Sequence, residues 1–263
     1  MYSTDNDSHC TMGVIVTTMR EKTITIYKNE GETPLECLER FRLEEPLYKD
    51  AVLSYAGRLD PMAEGAMLVL VDEENKNREK YLGLDKTYEV EILFGVKTDT
   101  GDILGLVQET KEIPTEKEVS EVLQGFVGLF TQKYPSYSSR TVEGKPLFQW
   151  AREGKIGEIE IPEKTSEIYS IELLEKRFMK SKEILVEIKK RIGKVKGDFR
   201  QEETVLSWER ILGTVGSAKM PIIRIQVSCS SGTYMRTLSE RIAEQLDTVG
   251  LAWSINRLGY GSL

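Results

Sequence analysis

Residues 53–71, LSYAGRLDPMAEGAMLVLV, place a single carboxylate, Asp60, at the tip of a predicted turn. Gly57 before the acid and Pro61 after it both favour a tight bend. The apolar run at 66–71 is typical of a buried strand, which would anchor that bend to a core. The pattern predicts an acid presented on a rigid support. An aspartate that only caps its own turn is the alternative, and the commoner, role of an Asp-Pro pair.

The composition is that of a globular protein. The 263 residues, of which 40% are hydrophobic and 30% charged, suffice for one large core or two modest ones. No apolar run approaches the roughly 20 residues that a membrane helix needs. The N-terminus lacks the basic start and apolar centre of a signal peptide. We therefore expect a cytoplasmic protein.

Cysteine and histidine usage restricts the chemistry of the site. The three cysteines, Cys10, Cys37 and Cys229, are odd in number and scattered, which favours neither a disulfide framework nor a metal knuckle. The single histidine, His9, lies in a polar stretch, and residues 1–11 are predicted to form a flexible tail. Histidine-dependent triads and histidine metal sites are therefore disfavoured. We expect no metal in the site.

Charge is distributed unevenly along the chain. The formal net charge of −7 argues weakly against a nucleic-acid partner. Residues 176–200 nevertheless hold ten Lys or Arg against three acids, a local charge of +7. Within this stretch Leu185, Ile188, Ile192 and Val195 recur at helical spacing, which predicts a packed face with basic residues around it. Two interpretations remain open, a solvated helix and a phosphate-binding surface for RNA.

Outside these stretches the patterns predict ordinary elements. Residues 13–19 and 23–28 have the composition of short strands. Thr33, Pro34 and Glu36 form the start signal of a helix, with a capping box and a proline in the first turn. Thr115 with Glu118 predicts a second capped helix. KTYEVEILFG, residues 86–95, alternates as a half-buried strand does.

Three stretches together resemble one family. Residues 53–71 resemble the G-x-L-D-P-x-A-x-G-x-L signature of the TruB family of tRNA pseudouridine synthases. Residues 132–155, QKYPSYSSRTVEGKPLFQWAREGK, resemble the thumb segment with which that family grips RNA. Residues 220–246 run from a strand through a glycine turn into a helix and are similar to the family's V-x-C-S-x-G-T-Y-I-R-T-L. The three matches occur in the family's order.

The resemblance implies a fold and a domain organisation. The fold class would be α/β, of the α+β kind, with a bent, mostly antiparallel central sheet flanked by helices and an active cleft across it. One pseudouridine synthase domain would cover residues 12–263. The basic stretch departs from the family, so residues 176–218 are interpreted as an insertion. The chain ends soon after RLGYGSL, and a C-terminal RNA-binding PUA domain is not expected.

The resemblance also assigns the residues of a pocket. Asp60 would be the catalytic carboxylate. Arg236 would hold it ionised through a charge-assisted pair, single or bidentate. Tyr88 would stack on the uracil, although an ordinary core-facing aromatic is the alternative for a tyrosine in such a strand. Tyr234 and the apolar Ile255 would line the same pocket around the base.

Other matches concern RNA outside the pocket. Tyr55 stands where the family has a histidine that helps to extrude the base, so a stacking or wedging role is expected. Arg58 stands where TruB proteins have a small residue, and Arg-Leu-Asp is similar to the motif of the sister RluA family. Asp99 and Asp102 are expected only to organise their loop. The remaining predicted RNA contacts are Lys28, Tyr137, Arg140, Lys145 and Arg152.

The implied reaction converts a uridine in the T-arm of tRNA to pseudouridine. The bond from N1 to C1′ breaks, the detached uracil turns, and C5 bonds to C1′. No metal or cofactor takes part, and tRNA is the expected partner. Two alternatives remain: a pseudouridine synthase acting on another RNA, and a non-catalytic RNA chaperone that helps tRNA to fold.

Overall fold

The computed structural model describes residues 20–112, 116–214 and 218–261. The predictions of a flexible tail at 1–11, a strand at 13–19 and a cap at Thr115 lie outside the described residues, as do His9 and Cys10. The strands are β1 (Thr23–Lys28), β2 (Leu53–Ala56), β3 (Ala63–Val71), β4 (Lys86–Phe94), β5 (Val96–Thr98), β6 (Val107–Thr110), β7 (Gly128–Lys133), β8 (Thr141–Val142), β9 (Lys145–Pro146), β10 (Glu163–Lys180), β11 (Lys219–Cys229) and β12 (Gly250–Tyr260).

Seven α-helices lie within the described residues. They are α1 (Pro34–Glu44), α2 (Arg78–Leu82), α3 (Glu116–Gln124), α4 (Leu147–Arg152), α5 (Ser181–Ile192), α6 (Gln201–Thr214) and α7 (Met235–Gln245). The predicted capping box at the start of α1 is confirmed, because Thr33 and Glu36 each accept a hydrogen bond from the other's backbone N–H. None of these helices is long and apolar enough to cross a membrane.

A central eight-stranded sheet organises the chain. Its strands follow the order β1-β3-β12-β4-β11-β10-β7, and β2 also pairs with β3. The β3–β12 pair is parallel and the other pairs are antiparallel. The expected mixed α/β fold with a mostly antiparallel central sheet is therefore confirmed. The parallel contact brings Ile255 of β12 opposite Ala63, three residues after Asp60.

The central strands bury side chains on both faces of the sheet. On one face the predicted alternation of β4 is confirmed, and its side chains pack with α3 and α7 in a core that includes Tyr88, Val90, Ile92, Phe94, Leu123, Leu238 and Ile242. On the other face Leu93 and Trp253 belong to a second core, which is completed by α5 and α6. Since both faces are covered, the strands hold the loops at their ends rigidly.

The segment predicted to be an insertion forms a helical hairpin. Helices α5 and α6 lie between β10 and β11, and Ile184, Ile188, Ile192 and Trp208 are at most 2% exposed in the second core. The predicted packed face is confirmed. Because α5 closes one face of the sheet, the choice concerns only its remaining basic surface, and both a solvated and a phosphate-binding surface stay predictions.

The basic residues of 176–200 are mostly paired with carboxylates. At least six of the ten cations lie within 4.0 Å of a carboxylate oxygen of the described residues: Arg177, Lys189, Lys190, Arg191, Lys194 and Arg200. Glu30, only 11% exposed, accepts from both Arg191 and Lys194. Four of the five acids involved lie outside the stretch, so distant parts of the chain offset much of its local charge.

Exchanging Ile188 for alanine should destabilise the protein by about 2–4 kcal/mol, because the side chain is fully buried and a cavity would remain. The matched variant Val186→Ala lies on the same helix with 64% of the side chain exposed and should cost less than about 0.5 kcal/mol. Urea unfolding of both variants measures the two free energies. Equal effects would contradict the packing of α5 on the sheet.

Candidate active site

Asp60 lies in the turn between β2 and β3. Gly57 has φ +84°, a left-handed conformation that a glycine adopts without the strain of a Cβ. The backbone N–H of Ala63 donates to the carbonyl of Asp60 at 3.0 Å and closes the turn. The predicted tight bend with an acid at its tip is confirmed, and β3 anchors it to the sheet.

Two buried cations donate hydrogen bonds to carbonyl oxygens in and around this turn. Lys28 is fully buried, and its Nζ donates to the carbonyls of Ala63 at 2.5 Å, Asn29 at 3.1 Å and Pro61 at 3.4 Å. Burial lowers the pKa of Lys28 to about 8, against partial compensation from nearby acids. A side chain enclosed in this way supports the turn from inside and has no surface with which to reach RNA. The expected RNA contact of Lys28 is therefore replaced by a structural one.

Arg257 of β12 is the second of these cations. It is 1% exposed, its Nε donates to the carbonyl of Ala66 at 2.7 Å, and its Nη2 donates to the carbonyl of Gly57 at 3.2 Å. Its guanidinium carbon lies 4.9 Å from the centroid of the Tyr260 ring. These contacts join β12 to both ends of the Asp60 turn.

Asp60 and Arg236, 176 residues apart in the chain, form the ion pair that the sequence predicts. Nε of Arg236 donates to Oδ2 of Asp60 at 2.8 Å in a single, not bidentate, contact. The Arg236 side chain is 3% exposed, whereas that of Asp60 is 33% exposed. Among the described residues, the other carboxylate oxygen of Asp60 accepts no hydrogen bond. One oxygen is therefore fixed and the other faces the cleft.

Backbone carbonyls accept hydrogen bonds from the two terminal nitrogens of the Arg236 guanidinium. Nη1 donates to the carbonyl of Thr100 at 2.6 Å and Nη2 to that of Tyr137 at 3.1 Å. Burial acts to lower the pKa of Arg236, but Asp60 and Asp102 outweigh it, and the net shift is upward. Arg236 is thus a permanent cation at the floor of the site.

The loop residues Asp99 and Asp102 have the organising role expected of them. Oδ1 of Asp102 accepts from the backbone N–H of Leu104 at 3.0 Å, and Oδ1 of Asp99 accepts from that of Leu106 at 2.8 Å. Asp102 also lies 3.9 Å from Nε of Arg236. Burial raises the pKa of Asp102, although Arg236 acts in the opposite direction. The loop therefore serves the Arg236 site as well as its own conformation.

A cavity of about 610 Å³ opens over this ion pair. Asp60 and Arg236 line it together with the three other predicted pocket residues, Tyr88, Tyr234 and Ile255. Its cationic rim consists of the exposed Arg58 and Arg140 and the half-buried Lys164, and the buried cations Lys86 and Arg257 line it further in. A volume of this size accepts a nucleoside, and the cationic rim suits a phosphate backbone.

The two tyrosines of the cavity are kept protonated by their surroundings. Burial raises the pKa of Tyr88 to about 12, and burial likewise raises that of Tyr234 to about 12. The Tyr234 ring meets that of Tyr134 edge to face, with centroids 5.6 Å apart. Two neutral phenols and an isoleucine thus provide apolar surface with hydroxyl groups at its edge.

A second cavity, of about 370 Å³, shares Asp60 and Arg236 with the first. Tyr137 and Arg152, both predicted RNA contacts, line it, and Phe199 from the insertion completes its wall. Arg58 lines both cavities. The cleft therefore extends to either side of the carboxylate.

The structure does not bring Tyr55 to the cleft. Its side chain packs against the cluster of Cys37, Leu38, Met67 and Val69 beneath α1, and it is absent from the described residues that line either cavity. In β2 successive side chains point to opposite faces, and Tyr55 takes the face away from the cavity. The expected stacking or wedging of Tyr55 on the base is therefore not supported by its position.

The thumb, residues 132–155, comprises the end of β7, the β8–β9 hairpin and α4. Arg140 is exposed at the rim of the first cavity, with its guanidinium 5.1 Å from the Tyr134 ring. Lys145 is held between Glu153 at 2.7 Å and the Trp150 ring at 3.6 Å. Of these two predicted RNA contacts, Arg140 is the better placed.

Sequence reasoning missed two residues that shape the site. Arg257 follows Ile255 at the two-residue spacing of a strand, and that alternation is the signal that would have found it. Oε1 of Gln132 accepts a hydrogen bond from the backbone N–H of Tyr234 at 3.2 Å, and Nε2 donates one to the carbonyl of Gly232 at 3.2 Å. No local pattern marks Gln132, because its partners lie 100 residues away.

Among residues 20–112, 116–214 and 218–261, no group of three or more His, Cys, Asp or Glu is placed to hold a metal ion. The cleft offers a carboxylate, a paired guanidinium, two phenols and a cationic rim. These groups suit a reaction in which positive charge develops next to the carboxylate, on a substrate whose phosphates contact the cationic rim.

Comparison with known proteins gives a consistent result. A family model described as TruB family pseudouridylate synthase (N terminal domain) matches residues 47–195. A relative named tRNA pseudouridine synthase B, from Caldicellulosiruptor saccharolyticus, is 32% identical over 239 residues, which cover 90% of this chain and 67% of that protein. One of the same name from Bacillus cereus is 30% identical over 229 residues, which cover 86% of this chain and 61% of that protein.

Solved structures share the fold. A crystal structure of a Cbf5-Nop10-Gar1 complex matches with a TM-score of 0.55 at 16% identity, covering 91% of this chain and 48% of that one. An H/ACA RNP bound to a substrate RNA containing 2′-deoxyuridine matches with a TM-score of 0.52 at 15% identity, covering 91% and 47%. The chain thus spans about half the length of these structural neighbours.

The buried Lys28 should make stability depend on pH. Its pKa falls from the usual 10.5 to about 8 on folding, so between these values the unfolded state binds the extra proton and stability rises with pH. The free energy of unfolding of the wild type, relative to that of Lys28→Met, should increase by about 1–3 kcal/mol from pH 8 to 10.5. Lys86, with a pKa also lowered to about 8 by burial, is present in both proteins and cancels.

Denaturant unfolding across this pH range measures the difference. The control Lys49→Met changes an exposed lysine and should leave the difference constant. If the difference in free energy of unfolding between the wild type and Lys28→Met is equally independent of pH, the pKa of Lys28 does not change on folding.

Proposed function

The chain belongs to the TruB family of pseudouridylate synthases, and on that premise we propose that it isomerises a uridine in the T-arm of tRNA to pseudouridine, with Asp60 as the catalytic carboxylate. The observation that carries the proposal is the ion pair of Asp60 and Arg236 at the floor of the first cavity. A buried cation that fixes one oxygen of an accessible acid is an arrangement for presenting the other oxygen to a substrate.

Cleavage of the glycosidic bond explains why an ionised carboxylate is needed. Breaking the bond from N1 to C1′ moves the bonding electrons to the uracil and leaves positive charge on the sugar, as in glycoside hydrolysis. The exposed oxygen of Asp60 would lie at the sugar and stabilise that charge. It acts there as a nucleophile at C1′ or as a base that removes a sugar proton, and both routes require the anion.

The walls of the cavity retain the detached uracil. Tyr88 and Ile255 are buried in the sheet and offer an aromatic ring and an aliphatic side chain as apolar contact surface, while Tyr234 lines the cavity next to Arg236. A base held between such groups turns without leaving and without admitting water. The bond from C5 to C1′ then forms, C5 loses its proton and N1 takes one up, so that product and substrate have the same composition.

Extruding the target base from its stack costs on the order of a few kcal/mol, which contacts to the RNA backbone must offset. The cationic rim of the first cavity, which includes Arg140 of the thumb, would provide such contacts, and Arg152 would add to them beside the second cavity. The curated relatives are named as tRNA pseudouridine synthases, which favours tRNA as the substrate. The whole activity is proposed for a chain that spans 61–67% of those two relatives.

A specific observation favours the alternative of another RNA as substrate. Tyr55 packs away from the cleft, so it does not supply the extruding contact expected at that position. Arg58 instead lies between the two cavities beside the carboxylate. A cation there would contact a phosphate or an unpaired base of the bound strand.

Exchanging Asp60 for asparagine should abolish pseudouridine formation, with a loss of at least about 10³-fold, because the amide keeps the shape but removes the anion. The measurement is base-resolved mapping of pseudouridine after incubation with unmodified tRNA and with bulk unmodified RNA. A product at the T-loop uridine that vanishes in Asp60→Asn supports both the chemistry and the substrate.

Two other outcomes would overturn parts of the proposal. Product only in RNA other than tRNA would retain the reaction and exclude the T-arm assignment. Tight binding without product in either RNA would favour the chaperone, and refolding of tRNA by Asp60→Asn would then equal that of the wild type.

Exchanging Arg140 for glutamine should weaken RNA binding about tenfold at low salt and reduce the slope of log Kd against log salt concentration by about 1, as expected for the loss of one phosphate contact. Binding titrations at several salt concentrations give both quantities. The control Arg210→Gln removes the same charge from an exposed position on α6 and should change neither. Equal effects of the two variants would contradict a specific contact by Arg140.

A further inference from the structure

The tip of the α5–α6 hairpin reaches the active-site cleft. Residues 193–200 connect the two helices, and Asp198 and Phe199 of this connection line the second cavity together with Asp60 and Arg236. The insertion therefore does more than cover one face of the sheet, because its tip forms part of the wall beside the carboxylate.

This tip is bound to the thumb. Nη2 of Arg152 in α4 donates to the carbonyl of Asp198 at 2.6 Å, and the Arg152 guanidinium lies 6.0 Å from the Phe199 ring. The guanidinium of Arg200 lies 4.7 Å from the ring of Tyr137. Thumb and insertion are thus joined by one hydrogen bond and two contacts between a cation and an aromatic ring.

Arg200 also joins the thumb to the loop after β5. Its Nη1 donates to Oδ2 of Asp99 at 2.8 Å, and the Tyr137 hydroxyl donates to the same oxygen at 3.1 Å. The side chains of Arg200 and Asp99 are 22% and 16% exposed. A partly buried pair of this kind is screened less by solvent than a surface pair.

The two segments that Arg200 contacts also supply backbone carbonyls to Arg236. Tyr137 supplies the carbonyl that accepts from Nη2 of Arg236, and Thr100, next to Asp99 in the chain, supplies the carbonyl that accepts from Nη1. Two of the three anchors of the Arg236 guanidinium therefore depend on segments that Arg200 ties together. The third anchor is Asp60 itself.

The backbone at Arg200 is strained. Its φ of +59° is left-handed, which is unfavourable in a residue other than glycine. Its carbonyl accepts from the backbone N–H of Thr204 at 2.9 Å as α6 begins. Strain of this kind persists where surrounding contacts determine the conformation, and here those contacts lie at the cleft.

We propose that Arg200 is a positioning residue, which fixes Asp99 and Tyr137 so that the thumb and Arg236 stay in the arrangement that orients Asp60. The inference rests on the proposed function of the Asp60 site. It assigns the insertion a role in the reaction through contacts within the protein, without requiring its cations to bind RNA. Arg200 touches neither the base nor the sugar in this scheme.

The test compares Arg200→Ala and Arg200→Lys with Arg210→Ala, an exposed arginine on α6 of the same hairpin. In steady-state kinetics Arg200→Ala should lower kcat about tenfold, while KM changes less than about threefold, because substrate still binds to a less ordered site. Lysine keeps the ion pair with Asp99 but stacks less well on Tyr137, so Arg200→Lys should recover part of the loss. Arg210→Ala should match the wild type.

Hydrogen exchange in the free protein provides a readout that does not depend on activity. Arg200→Ala should increase exchange in thumb residues 134–155, while the strands of the sheet and the thermal midpoint remain close to those of the wild type. Unchanged thumb exchange, or equal losses of activity in Arg200→Ala and Arg210→Ala, would overturn the positioning role. A wild type that forms no pseudouridine while its thumb responds to Arg200→Ala would instead overturn the proposed function.

Discussion

The buried guanidinium of Arg236 is the constraint on which the rest of the site depends. An arginine that is 3% exposed keeps its charge, so its nitrogens need acceptors inside the protein. Asp60 accepts from Nε, and the carbonyls of Thr100 and Tyr137 accept from Nη1 and Nη2. The turn after β2, the loop after β5 and the start of the thumb are therefore brought together around a single side chain. The same contacts leave one oxygen of the acid facing the cleft.

Cations elsewhere in the site are used in a different way. Lys28 and Arg257 are buried without a carboxylate in hydrogen-bond contact among the described residues, and each is stabilised by hydrogen bonds to backbone carbonyls in and around the Asp60 turn. Their charge is thus not cancelled locally. Together with the exposed rim of the first cavity, they give the cleft a positive character in a chain whose net charge is −7. This explains how an acidic protein presents a surface that suits RNA.

The helical insertion shows how one segment serves packing and the site together. Its apolar side closes the second core, and four of its cations bind acids of the body, which fixes the orientation of the hairpin: Arg177, Arg191, Lys194 and Arg200. Once oriented, its tip meets the thumb and the Asp99 loop. A hairpin held only at its base would not position Arg200 to within hydrogen-bond distance of Asp99, so the core packing and the ion pairs are conditions for the contact at the cleft.

The sequence by itself determined the Asp60 turn, the capped helix α1, the alternation of β4 and, through motifs that recur in order, the pairing of Asp60 with Arg236 in a pocket with Tyr88, Tyr234 and Ile255. Each of these depends on short-range backbone geometry or on a strong local motif. Only the tertiary structure decided that Lys28 lies beneath the turn, that Tyr55 faces α1, and that Glu30 and Asp99 neutralise cations of the insertion. Those outcomes depend on the order in which the strands pair and on contacts between residues up to 164 positions apart in the chain. Local sequence patterns do not predict contacts over such separations.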